Sequence, residues 1–234
     1  MNPSMALAAA LFLGLSSLGF FVKSSVGEFK GYERVVQVKG LAEKEVEATL
    51  VIWPISFSES ATNLKSLYEK MEEKSKVVES FLFNNGLKKE EIIDSPPEVT
   101  DRYTYNYKER NKIKERYQIK KVFTVKTSDI HKVIEARKKT GELLSKGVLL
   151  AKEDWSNKTS YTYTKLNEIK PEMIKKATEA AREAAEQFAR DSNSKIGKIK
   201  DARQGFFSIS DVDSTTPQMK QVRVVTSVTY YLKD

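Results

Sequence analysis

The stretch RVVQVKGLAEKEVEATLVIWPISFSES, residues 34–60, decides the fold. Its first seven residues alternate apolar and polar, the period of a half-buried strand. Leu41 to Lys44 read as a turn that Gly40 would permit. A second strand begins at Glu45, with Val46, Ala48, Leu50 and Ile52 on one parity. Pro54 has no N–H for a sheet ladder, so this second strand is expected at an edge or bulged there. From Thr62 the period lengthens. Leu64, Leu67, Tyr68, Met71, Val78, Phe81 and Leu82 fall near one face, the stripe of an amphipathic helix. Asn63 or Thr62 suits its N-cap, and Asn84-Asn85-Gly86 its stop.

Working outward, strand pairs and helices keep alternating. Pro96 and Pro97 interrupt the next extended region, and residues 101–107 read as a strand with Tyr103, Tyr105 and Tyr107 on one face. The charged run 108–116 reads as the exposed tip of a long hairpin, whose return strand RYQIKKVFTVKT ends at Thr127. A helix is expected from Asp129 to Lys146, with Val133, Ile134, Leu143 and Leu144 apolar and Gly147 as its stop. VLLAKEDWS and TSYTYTKL read as a hairpin around Asn157 and Lys158. Pro171 then supplies a pre-set first helical turn, and Glu172 suits the positive end of the helix dipole. Ile174, Ala177, Ala181, Ala184 and Phe188 repeat at intervals of three and four, and so many alanines allow very close packing. Ser192-Asn193 ends this helix. A final strand pair, 195–210 and 221–232, is joined by the polar loop DVDSTTPQ, expected to be mobile. The order β-β-α-β-β-α-β-β-α-β-β is that of an α+β protein: antiparallel sheets packed by long helices.

The first 22 residues carry no charged side chain. The run from Ala6 to Val22, ALAAALFLGLSSLGFFV, ends at Lys23; with its flanks it spans roughly 26–33 Å as a helix, about one hydrocarbon core. The chain thus divides into an N-terminal membrane segment and spacer, residues 1–28, and one α+β domain, residues 29–234. A cleaved signal normally has a basic leading region. MNPSM has none, which favours a retained anchor, although Ser17 and Gly19 offer a small-residue cleavage site. Lys23 and Lys30, taken alone, place the following residues on the cytoplasmic side.

Composition removes much chemistry. There are no cysteines, which excludes disulfides, thiolate metal sites and cysteine nucleophiles, and there is one histidine, His131. The net charge of +8 comes from basic residues interleaved with acidic ones, as in KKEE at 88–91, without zinc-finger spacing or an RNP-type motif. A solvated surface accounts for it, and no nucleic-acid partner is expected. The 10 glycines are scattered and form no phosphate loop, and no G-x-S-x-G or H-E-x-x-H motif occurs. His131 reads as a helix residue and Asp154, beside Trp155, as a strand-end contact with solvent. No enzyme, cofactor or metal is expected from these residues.

RVVQVKGLAEKEVEATLVIWPISF resembles the opening signature of the SIMPL-domain family. GLKKEEII at 86–93 resembles the family's helix-to-strand passage. LNEIKPEMIKKATEAAREAAEQFARDSNSKIGKIKDARQGFFSI at 166–209 resembles its Ala-rich helix and following Lys-Ile-Gly strand, and VRVVTSVTYYL its closing strand. The resemblance covers nearly all of residues 34–234, loosely between about 96 and 165. It implies an exported, periplasmic or envelope-bound α+β protein with no established catalytic residues, loosely linked to stress tolerance and tending to form ring-like or channel-like oligomers. That sets the orientation against the one Lys23 and Lys30 suggest. The expectation is a non-enzymatic homo-oligomer, anchored in the inner membrane through Ala6 to Val22 with its domain in the periplasm. Ala177, Ala181, Ala184 and Phe188, and the Tyr103, Tyr105, Tyr107 strand with its charged tip, are the candidate assembly surfaces. The alanine face could equally serve the monomer's own core. The alternative is a monomeric periplasmic binding module that presents the tyrosine strand to a peptide, glycan or lipid.

Overall fold

Trp53, Ile55, Phe57, Phe123 and Val125 are at most 3% exposed. They come from two antiparallel strands in register, Trp53 opposite Val125 and Ile55 opposite Phe123. These strands are β2 (Leu50–Ala61) and β5 (Tyr117–Thr127). The computed structural model describes residues 12, 14–17, 34–105, 112–154 and 157–233. The described residues fall into two units, one within 45–166 and 210–221, the other of 34–44, 167–209 and 222–233.

In the first unit a five-stranded sheet runs β3-β5-β2-β6, with β4 also on β5. Strand β3 (Ile92–Asp94) pairs with residues 123–125 and β4 (Glu98–Asp101) with 117–120, so both lie along one flank of β5. Pro96 and Pro97, which lack donors, separate them. Helix α1 (Leu64–Asn84) buries Leu67, Met71, Val78, Phe81 and Leu82, while Leu64 and Tyr68 are exposed. Its ends match expectation. The Ser66 amide donates to Asn63 Oδ1 at 2.9 Å, and Asn85 Nδ2 donates to the Phe81 carbonyl at 2.8 Å ahead of Gly86, whose φ is 79°.

Other parts of this unit depart from the sequence pattern. Residues 102–105 form a helical turn, α2 (Arg102–Tyr105), not a strand. Asp101 starts it by accepting the Tyr103 amide at 3.0 Å, a local bond that outcompetes the ladder. The helix expected from 129 to 146 is two, α3 (Ile130–Lys138) and α4 (Gly141–Ser145). The break falls where the Thr140 hydroxyl donates to the Arg137 carbonyl at 2.9 Å. Among the described residues no hairpin forms around Asn157. β6 (Ser160–Thr162) pairs with Leu50–Ile52, and Leu150 bridges to Phe57. Pro54 lies between those pairings, with β5 as its partner on one side only. The loop after Asp211 is organised: Asp213 accepts from the amides and hydroxyls of both Thr215 and Thr216 at 2.6–2.7 Å.

The second unit is built on a sheet of order β1-β9-β7, with β8 also on β9. Strand β1 (Val35–Glu47) runs through Gly40 and Leu41 to Lys44 without a turn, and it belongs to a different sheet from β2. The expected hairpin is therefore absent. Gly40 serves close packing: a Cβ there would lie 1.8 Å from the Ala177 carbonyl oxygen and 2.4 Å from the Ala181 nitrogen. Those residues belong to α5 (Leu166–Asp191), whose buried side chains are Met173, Ala177, Ala181, Ala185 and Ala189, a ridge at steps of four. The helix starts five residues before Pro171, which sits inside it and leaves the Asn167 carbonyl without its usual donor. Strand β9 (Met219–Lys233) turns Val222, Val224, Val228 and Tyr230 inward. Val38, Ala181, Ala185, Val228 and Tyr230 make the core here.

Candidate assembly surface

Strand β7 (Lys195–Gln204) pairs with β9 from Lys195↔Lys233 to Gln204↔Thr226, with irregular register near Ile199. The chain stays on that flank of β9, since the Gly205 amide donates to the Val225 carbonyl at 2.8 Å and β8 (Ser208–Asp211) pairs with β9. Among the described residues no strand pairs with the outer flank of β7 or β8, so their backbone groups there are an open edge.

The side chains on this edge change character along it. From 195 to 203 exposed Lys195, Lys198, Lys200 and Arg203 guard it, as charges on an edge strand commonly do. Asp201 pairs with Arg203 at 3.1 Å. The guard stops at Gln204. Residues 204–209, QGFFSI, carry no charge; Phe206 is fully exposed, and Ile209 is exposed. Phe207 is half-buried, with the Lys170 ammonium 6.0 Å from its ring centre. An uncharged, proline-free hexapeptide with two aromatics on an unpaired edge is chemistry that recruits another strand.

The residues singled out in the sequence lie elsewhere. Ala177 and Ala181 are fully buried within the subunit and leave no surface for a second copy. Ala184 is half-buried beside them, and Phe188 is exposed. Tyr103 lies in the α2 turn, where the Arg116 guanidinium sits 5.2 Å from its ring centre and 4.9 Å from that of Tyr117. Arg116 is held there by Asp101, accepting from Nη2 at 2.7 Å and from Nε at 3.0 Å. Tyr105 ends the same turn, which is helical and not extended; Tyr107 and residues 108–111 of the charged tip lie outside the described residues. So does most of Ala6 to Val22. Among the described residues no helix is long and apolar enough to cross a membrane.

His131 is exposed on the first turn of α3, with Nε2 3.3 Å from Glu47 Oε1, at the rim of an open cleft with Thr49, Ser128, Asp129 and Lys165. Asp154 is exposed and locks its own loop, accepting the Asn157 amide at 3.2 Å. Among the described residues no group of three or more His, Asp or Glu side chains is placed to hold a metal. The QGFFSI edge was missed in the sequence, where the gap in charge between Arg203 and Asp211 was its only mark.

A model of the SIMPL family, described as a protein of unknown function (DUF541), matches residues 36–230. No curated protein matches the chain.

Proposed function

Since the chain belongs to the SIMPL family, we propose that it is a non-enzymatic envelope protein, anchored in the inner membrane through Ala6 to Val22, whose periplasmic α+β part self-assembles. The anchor reading rests on 17 successive uncharged residues. The observation that carries assembly is the open β7–β8 edge, where the charge guard ends and Phe206 stands fully exposed. A second copy offering the same edge would satisfy the unpaired backbone groups and cover Phe206 and Ile209. Such pairing is self-complementary, so it closes a dimer from which larger rings can be built through a second contact.

Sedimentation of the full chain in detergent tests this reading against the variant Phe206→Glu. Phe206 makes no buried contact, so the variant should melt at the wild-type temperature while its mass falls to that of a smaller species. An unchanged mass would remove the edge from the account. The tyrosine-strand reading has less support, because Arg116 covers the Tyr103 ring and is itself tied to Asp101.

A further inference from the structure

Among the described residues between 34 and 233, the two most exposed large aliphatic side chains stand on one turn. They are Leu144, 62% exposed, and Leu149, 71% exposed. The turn closes the end of α4. The Gly147 amide donates to the Leu144 carbonyl at 2.9 Å, and the Val148 amide donates to the Leu143 carbonyl at 2.9 Å. Gly147, with φ at 74°, makes the reversal. This pair of bonds is the Schellman closure, which folds the residue after the glycine back onto the last helical turn. Leu143 and Val148 are the residues brought together, and both are buried in the core of their unit. Their neighbours Leu144 and Leu149 are therefore left outside. A loose loop could fold its leucines back onto the protein. This one cannot, because Leu143 and Val148 already take those places.

The same segment is basic. Residues 137–152 hold Arg137, Lys138, Lys139, Lys146 and Lys152 against one acid, Glu142. Arg137 is paired with Glu153 at 2.8 Å, and Lys138 with Glu135 at 2.6 Å. Lys139, Lys146 and Lys152 are exposed and, among the described residues, form no ion pair with a carboxylate. A further cation arrives from α1, where Lys74 donates from Nζ to the Lys146 carbonyl at 3.3 Å, beside Gly147. Exposed leucines among unpaired cations suit a lipid interface. The apolar side chains enter the boundary between headgroups and acyl chains, and the ammonium groups meet lipid phosphates. A second copy offering the same turn would set like charges against each other. A rigid acidic protein would need a pocket shaped to both leucines, whereas a fluid bilayer needs none.

We propose that the turn at residues 144–149 is a second membrane contact, which seats Leu144 and Leu149 in the interface of an anionic phospholipid bilayer. Lys74 and Lys146 meet the phosphates there, and Lys139 and Lys152 add to the attraction. The contact rests on the anchor reading only for the presence of a bilayer. It involves no residue of the β7–β8 edge, so it stands or falls separately from assembly.

The chain has no cysteine, so Ser145→Cys, at an exposed position between Leu144 and Lys146, accepts a single environment-sensitive fluorophore. The labelled full chain is mixed into vesicles of phosphatidylcholine, or of equal parts phosphatidylcholine and phosphatidylglycerol, both carrying spin-labelled lipid as quencher. Flotation with both kinds of vesicle reports the anchor, and quenching at position 145 reports the turn, so the two readings fail separately. Quenching is expected in the anionic vesicles and should weaken in the neutral ones. Each cation at an anionic surface is worth roughly fivefold, so Lys146→Glu, a change of two charges, should lower the bound-to-free ratio of the turn about tenfold or more. Leu144→Ser combined with Leu149→Ser should lower it by at least as much, with the melting temperature unchanged because both side chains are exposed. No quenching, or equal quenching in the two kinds of vesicle, would overturn the proposal. Full quenching in the folded Leu144→Ser, Leu149→Ser variant would overturn it as well. A label that ignores vesicles but responds to chain concentration would give the turn to a second copy instead. One that responds only to poly-L-glutamate would give it to an acidic protein.

Discussion

Replacing Gly40 by alanine adds one methyl group and should be among the most damaging small changes this chain can suffer. The added carbon would stand 1.8 Å from the Ala177 carbonyl oxygen, 2.4 Å from the Ala181 nitrogen and 2.9 Å from the Ala181 Cβ. A carbon and a carbonyl oxygen approach no closer than about 3.3 Å, so α5 would have to retreat by about 1.5 Å. The atoms in the way are helix backbone, which cannot rotate aside as a side chain can. A gap of 0.5–1 Å already forfeits a quarter to a half of a van der Waals well, and this retreat would strip contacts from Ala177, Ala181 and Ala185 together. Overpacking typically costs about 1–3 kcal/mol, and a backbone clash of this depth belongs at about 3 kcal/mol or beyond. In a protein of this size that is a fall in Tm of roughly 6–12 °C. Thermal melts followed by circular dichroism measure it, with Gly141→Ala as the control. Gly141 opens α4 with nothing within 4 Å of an added Cβ, so that variant should gain about 0.4–1 kcal/mol. A Gly40→Ala protein melting within about 2 °C of wild type would refute the claim that the helix touches this strand at glycine.

Three further outcomes follow from the second unit. Glu172 accepts from Lys44 at 2.7 Å and from Lys176 at 2.9 Å, and these bonds hold its pKa at about 2. Because the folded value lies below the unfolded one near 4.3, the stabilisation is present above about pH 4.3 and is lost as pH falls to about 2. The stability gap between wild type and Glu172→Gln should therefore shrink across that window, and a gap independent of pH would contradict it. Tyr230 is 3% exposed, and its hydroxyl has no partner among the described residues. Tyr230→Phe should thus raise stability by about 1 kcal/mol, visible in a denaturant midpoint, whereas a loss of that size would mean the hydroxyl is bonded. Ala181→Glu would bury an unpaired carboxylate between helix and sheet and should prevent the unit from folding, as a loss of its amide protection against hydrogen exchange would reveal.

Local chemistry was legible, and long-range pairing was not. The α1 helix could be read with both caps because Asn63, Asn85 and Gly86 act on their own neighbours. Pro96 and Pro97 marked a break wherever the strand lay. The α+β class and the family followed from such signals over most of the chain. Gly40 was misread because a glycine between two extended segments looks the same whether it turns the chain or admits a helix. Only the helix more than 130 residues later distinguishes the two. Strand β1 likewise finds its partner in β9 near the other end of the chain, and no local pattern reports that. Residues 102–105 turn instead of extending for a local reason that was available: Asp101 can cap a turn, and it does. Of the candidate assembly residues, the alanines were read as close-packing, and the structure gives Ala177 and Ala181 to the subunit's own core. The edge at 204–209 was hidden because exposure depends on which strands do not pair.

The central claim, that residues 29–234 build a multimer through their own fold, is tested most directly by native mass. The full chain extracted from membranes would be weighed beside a chain that starts at Phe29. The account predicts one discrete multimer in both, dissociated by Phe206→Glu in each. A monomer in both would contradict it.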